Sequence, residues 1–106
     1  MSILNINKSE FNSVVLKNSK PVLAEYWAPW CVYCRRIAPA LDKVAEQFED
    51  KIQVVKINAD DNGAIIIQEG IEALPTFVLY KGGQAAAQII APDSKARLEA
   101  FVNENL

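Results

Sequence analysis

Cys31 and Cys34 are the residues of this 106-residue chain whose type and spacing most directly imply chemistry. Thiols three positions apart at the start of a helix can approach closely enough to form a disulfide. Val22 to Trp27 reads as a strand, Pro29 interrupts the chain, and a helix is predicted from Cys31 onward. A helix N-terminus offers unpaired backbone N–H groups and a partial positive charge, and both favour a thiolate at the first cysteine. The thiolate is the form that attacks a disulfide. Cys31 is therefore the predicted nucleophile, and Cys34, one turn inward, the thiol that resolves the mixed disulfide. A pair of buried, inert thiols and a metal or iron–sulfur centre shared between two chains are the competing readings. With two cysteines and no histidine, the chain cannot build a conventional four-ligand zinc site alone, and no metal site is expected. A disulfide-stapled secreted domain would usually carry four or more cysteines.

Two further sets of residues lie close to this pair. Glu25 interrupts the otherwise apolar strand Val22 to Trp27. With apolar neighbours on both sides its carboxyl should resist ionisation, which makes it a proton carrier at neutral pH. Arg35 and Arg36 directly follow Cys34 and read as a solvated helix face.

The elements that must hold these groups alternate between strand and helix. Ser2 to Ile6 is a short strand. Lys8 to Lys17 carries Phe11, Val14 and Val15 near helical spacing, with Asn7 and Glu10 placed as a capping box. The apolar strand Val22 to Trp27 suits the centre of a sheet covered on both faces. Cys31 to Phe48 is the longest predicted helix, with Ile37, Leu41, Val44, Ala45 and Phe48 on one stripe and Pro39 inside it. Ile52 to Ala59 is a strand, and Asp60 to Glu69 a short helix ended by Gly70. Thr76 to Tyr80 is a strand, and Gly82-Gly83 turns it back into an antiparallel partner, Gln84 to Ile90. Ser94 to Asn105 closes the chain as a helix, with Leu98, Phe101 and Val102 facing inward and Asp93 or Ser94 as N-cap. The order implies an α/β sandwich with a mixed sheet.

Composition is consistent with one domain over residues 1–106. Hydrophobic residues make up 51% and charged residues 23%, and the formal net charge is −2. No basic excess points to nucleic acid. No run approaches the ~20 apolar residues that span a bilayer, and the first ten residues lack the apolar centre of a signal peptide. The expected location is therefore the cytoplasm, the alternative being a processed form with its export signal already removed.

The segment Trp27-Ala28-Pro29-Trp30-Cys31-Val32-Tyr33-Cys34 resembles the active-site segment of thioredoxins. Lys56-Ile57-Asn58-Ala59-Asp60, Gly70-Ile71-Glu72-Ala73-Leu74-Pro75-Thr76-Phe77 and Lys81-Gly82-Gly83 extend the resemblance over essentially the whole chain. It implies a thioredoxin fold, a five-stranded mixed sheet flanked by four helices, with a cis bond before Pro75 facing the cysteines. It also implies an apolar docking surface around Cys31 made of Trp30, Ile71, Ala73, Leu74, Pro75, Ile90 and Ala91. In such proteins an acid at the position of Glu25 lies beneath the second cysteine and helps to deprotonate it, accompanied by a lysine at the position of Lys56.

Three departures from that pattern stand out. Val32-Tyr33 replaces the usual Gly-Pro between the cysteines and enlarges the surface beside Cys31. Glu25 replaces an aspartate, and Ala91 replaces a common glycine after the last strand. The resulting expectation is a monomeric protein-disulfide reductase with no cofactor beyond its own Cys31–Cys34 disulfide. It would act on disulfide-containing proteins and be recharged by an NADPH-dependent thioredoxin reductase, with no nucleic-acid or membrane partner. The alternatives are a more oxidising disulfide isomerase or oxidase, or a binding module that uses the fold without turnover.

Overall fold

Apolar strands and amphipathic helices alternate as the sequence predicts, and the computed structural model, which describes residues 3–106, places them in two layers on one sheet. The strands are β1 (Ile3–Ile6), β2 (Val22–Trp27), β3 (Gln53–Asn58), β4 (Thr76–Lys81) and β5 (Gln84–Ile90). Ser2 of the predicted first strand lies outside the described residues. The sheet order is β1-β3-β2-β4-β5. β1, β3 and β2 run parallel, whereas β4 is antiparallel to β2 and β5 to β4. The chain thus has the expected α/β architecture, a five-stranded mixed sheet with four helices.

Side chains alternate across β2, and that alternation divides the core. Leu23 faces α2 (Val32–Gln47) and α4 (Lys95–Asn105), packing with Ile37, Leu41, Val44, Phe101 and Val102. Val22, Ala24 and Tyr26 face the opposite layer, where Phe11, Val15 and Ile65 cover them. The predicted stripe from Ile37 to Phe48 is buried throughout. Glu25 follows Leu23 by two positions and so lies on the face that α2 covers.

Several boundaries differ from the sequence reading, each for a local reason. Cys31 is not the first helical residue. Its backbone is extended (φ −84°, ψ 112°), and it caps α2 through its sulfur. Phe48 likewise caps the other end, and Pro39 sits inside the helix. The predicted helix Lys8 to Lys17 begins with the expected capping box as α1 (Lys8–Glu10) and then widens into a π-helical segment, Phe11–Leu16, closed by Lys17 N–H donating to Asn12 C=O at 2.9 Å. Apolar spacing alone does not separate the two helix types.

The predicted helix Asp60 to Glu69 splits into a 3₁₀ turn, Ala59–Asp61, and α3 (Gly63–Gln68). Asparagines cause the break. Asn58 Oδ1 accepts from Asp60 N–H at 2.9 Å, and buried Asn62 bridges Lys8 N–H, Asn7 Oδ1 and Asn58 C=O. Such side chains compete with the helical ladder. Gly70 does end α3, at φ +66°, with Gly70 N–H bonded to Ile67 C=O and Ile71 N–H to Ile66 C=O. Gly82 and Gly83, at φ +58° and +82°, form the expected two-residue hairpin turn. At α4 the N-cap is Ser94, whose hydroxyl accepts from Arg97 N–H at 3.1 Å. No helix among the described residues is long and apolar enough to cross a membrane.

Candidate active site around Cys31 and Cys34

β2, the central strand, ends at Trp27, and the next residues carry the chain from the end of that strand into α2. Cys31 and Cys34 are joined by a disulfide, with their Cα atoms 5.2 Å apart. Both are buried and pack with Ala28, half-buried Trp27 and Leu74. The two sulfurs are not equivalent. Cys31 Sγ accepts the backbone N–H of Cys34 at 3.1 Å, so the first sulfur occupies the N-cap acceptor position of α2. After reduction the same N–H and the helix dipole favour negative charge on Cys31. Cys34, already inside the helix, has no such placement. Around the disulfide the surface is open, with Trp30 65%, Val32 52% and Tyr33 60% exposed.

Glu25, on β2 two residues before its end, is 1% exposed and pairs in register with Lys56 on β3 and Phe77 on β4. Its carboxylate oxygens accept no hydrogen bond from the protein, and Lys56 Nζ stands 3.9 Å from Oε1. Burial therefore raises the Glu25 pKa from 4.5 to about 7, and the positive charge of Lys56 offsets only part of that rise. Lys56 also lies over the Trp27 ring, 4.4 Å from its centre, which shares the ammonium between an aromatic face and the carboxyl. The resulting group holds or releases a proton at neutral pH on the sheet face that α2 covers.

Most of the expected docking residues converge. Trp30, Ile71, Ala73 and Leu74 line one cleft of about 310 Å³. The Leu74–Pro75 bond is cis. Pro75 C=O accepts from Ala91 N–H at 2.9 Å, which ties the end of β5 to the proline. Ile90 pairs with Thr76 at the same end of the sheet and is half-exposed. Tyr33 and Ala91 belong to a second cleft, of about 410 Å³, walled by Arg36, Ile37, Pro92 and Asp93. Pro75 and Ile90 line neither of these clefts, so the two hold only part of the expected docking surface. Arg36 is more than a solvated charge, because its guanidinium lies 5.2 Å above the Tyr33 ring. Arg35 donates to Pro29 C=O at 2.8 Å and braces the loop before Cys31.

One contact had no sequence signal. Trp30 Nε1 donates to the Asp60 carboxylate at 3.1 and 3.2 Å. In the sequence Asp60 figures only as the end of a matched segment and the start of a predicted helix, and nothing local links it to a residue 30 positions away.

Comparison with known proteins agrees with this geometry. A family model described as Thioredoxin matches residues 2–104. A thioredoxin of Haemophilus influenzae is 41% identical over 104 residues, covering 98% of this chain and 97% of the relative. One from Porphyra purpurea is 39% identical over 104 residues, with the same coverage of 98% and 97%. A chloroplastic M-type thioredoxin of Chlamydomonas reinhardtii is 40% identical over 101 residues, 95% of this chain and 72% of the relative. The fold, the Cys31–Cys34 disulfide at a helix N-terminus and these matches together place the chain in the thioredoxin family, as a thiol–disulfide oxidoreductase of the protein-disulfide reductase type.

Proposed function

We propose that Cys31 is the attacking thiol and Cys34 the resolving thiol in the reduction of protein disulfides, with Glu25 as proton relay. The Cys31 thiolate attacks one sulfur of the substrate disulfide, forms a mixed disulfide and releases the first substrate thiolate. The Cys34 thiolate then attacks Cys31 Sγ, forms the Cys31–Cys34 disulfide and releases the second. Two electrons pass to the substrate, and its thiolates take up two protons. Cys34 must lose its proton for the second step, and Glu25, buried on the sheet face that α2 covers, is able to accept one at neutral pH. Lys56 sets how readily Glu25 ionises. The observation that carries this assignment is the asymmetry of the sulfurs, with Cys31 Sγ alone receiving a helix N-terminal N–H.

The substrate backbone docks beside Pro75, its apolar side chains meeting Trp30, Ile71, Ala73, Leu74, Ile90 and Ala91. Val32 and Tyr33 add exposed apolar surface next to Cys31, and this narrows partner choice. The working state is that of a monomeric, single-domain cytoplasmic reductant, returned to its dithiol form by an NADPH-dependent thioredoxin reductase. A redox titration against dithiothreitol or glutathione, followed by Trp27 and Trp30 fluorescence, tests the direction. A potential at or below about −250 mV supports a reductant, whereas one above about −200 mV refutes it in favour of an isomerase or oxidant.

A further inference from the structure

On the sheet face away from α2 lies a buried chain of polar groups that the redox chemistry does not use. Tyr26 OH and Tyr80 OH are 2.6 Å apart, and Tyr80 OH donates to Glu69 Oε1 at 2.8 Å. Tyr26 and Tyr80 are fully buried, whereas Glu69 is half-buried at the C-cap of α3. A phenol carries one proton. Because the Tyr80 proton goes to Glu69, Tyr26 donates to Tyr80, and the chain has a direction from sheet to helix end. The Phe11 ring meets Tyr80 edge-on at 5.9 Å and holds it in place. Two phenylalanines would fill the same space without needing to satisfy buried hydroxyls. The phenols therefore do something that packing does not require.

Their end point indicates what that is. Glu69 immediately precedes Gly70, where the chain turns through positive φ into Ile71, Glu72, Ala73 and Leu74. The far end of this segment is fastened at Pro75 and Thr76, whose Oγ1 donates to Ala73 C=O at 2.6 Å. The near end is fastened by Tyr80 through Glu69. Ile71 and Leu74 pack against the cluster that holds Tyr26 and Tyr80, and Leu74 also packs against Cys31 and Cys34.

We infer that the Tyr26–Tyr80–Glu69 chain is a positioning device, which anchors the end of α3 to the sheet and so sets the place of the Gly70–Leu74 segment beside the disulfide. Its effect on turnover rests on the proposed docking role of that segment. Glu69, Tyr80 and Tyr26 are positioning residues that touch neither substrate nor the sulfurs.

The test uses the full oxidised chain and the double variant Tyr26→Phe/Tyr80→Phe, which removes both hydroxyls and leaves no buried polar group unpaired. Glu69→Ala removes the acceptor from the surface side, and Glu69→Gln retains an acceptor oxygen. Amide hydrogen exchange at Gly70 and Ile71 reports the anchor, with Leu98 in α4 as a distant control. The first two variants should exchange about tenfold faster at Gly70 and Ile71 and unchanged at Leu98, and Glu69→Gln should stay near the parent. Unchanged exchange in the double variant and in Glu69→Ala overturns the inference. With dithiothreitol as electron donor, KM for insulin should rise about threefold or more in the first two variants. The rate with the small disulfide 5,5′-dithiobis(2-nitrobenzoate) should not change. Faster exchange with an unaltered KM for insulin would leave the anchor standing but refute the docking role and, with it, the positioning of substrate.

Discussion

Replacing Glu25 by glutamine removes a titration while keeping a side chain of nearly the same shape. In the folded protein the carboxyl holds its proton up to about pH 7, against 4.5 for the free side chain. Between those values the native state binds more protons than the unfolded chain, so stability falls as pH rises through that window and levels off above it. Each pKa unit corresponds to about 1.4 kcal/mol, so the full loss is about 3 kcal/mol. That is a large part of the ~5–15 kcal/mol that holds a small domain together. Glutamine resembles the protonated acid at every pH. Its introduction leaves Lys56 without a carboxylate, but that side chain is 22% exposed and also faces the Trp27 ring, so the loss is small. Guanidinium unfolding of the oxidised protein at pH 4.5, 6 and 8 provides the assay. Parent and Glu25→Gln should unfold alike at pH 4.5. At pH 8 the variant's midpoint should lie higher by about 1 M, for a guanidinium slope of ~3 kcal/mol per molar. Midpoints that differ equally at all three pH values would refute the assignment of a raised carboxyl pKa to burial. The relay has a separate readout, because Glu25→Gln should slow disulfide reduction most above neutral pH. Parent-like kinetics across the pH range would remove the relay while leaving the titration intact.

Ala91 sits at φ +46°, where a Cβ costs about 1–2 kcal/mol. Ala91→Gly should therefore stabilise the protein by about 0.5–1 kcal/mol after the greater freedom of glycine in the unfolded chain is counted. Thermal unfolding should show a Tm higher by about 3–5 °C, and a lower Tm would contradict the strain. Trp30→Ala should leave stability within about 1 kcal/mol, since the ring is 65% exposed, yet raise KM for insulin about threefold or more. An unchanged KM would remove Trp30 from the docking surface. Ser94→Ala deletes the hydroxyl that receives Arg97 N–H and should cost about 1 kcal/mol in chemical denaturation, with no effect on the rate of disulfide reduction.

The parts of this molecule that were legible in its sequence are those governed by short-range rules. The ends of β2 are legible because Pro21 and the loop before Cys31 bound a run that is apolar except for Glu25, and those of β5 because Gly82-Gly83 permits a two-residue turn. The cysteine pair is legible from spacing, and the segment Gly70 to Phe77 from its resemblance to a known family. Features created by contacts across the chain were not. Asn62 breaks the predicted Asp60 to Glu69 helix because it bonds to Asn7 and Lys8, more than 50 positions away in sequence. The Trp30–Asp60 bond and the Tyr26–Tyr80–Glu69 chain likewise join residues that neither periodicity nor motif connects. Glu25 falls between these cases. Its burial followed from its apolar neighbours, but its partial compensation by Lys56 and the Trp27 ring depended on strand register.

The division of labour between the two sulfurs is central to the chemistry, and trapping the mixed disulfide tests it directly. Cys34→Ser and Cys31→Ser variants, reduced and then mixed with insulin, would be quenched with acid and mapped by peptide mass spectrometry. Accumulation of an insulin adduct on Cys31 in Cys34→Ser, with little or none on Cys34 in Cys31→Ser, is the result the account predicts. An adduct that forms readily on Cys34 and not on Cys31 would contradict it.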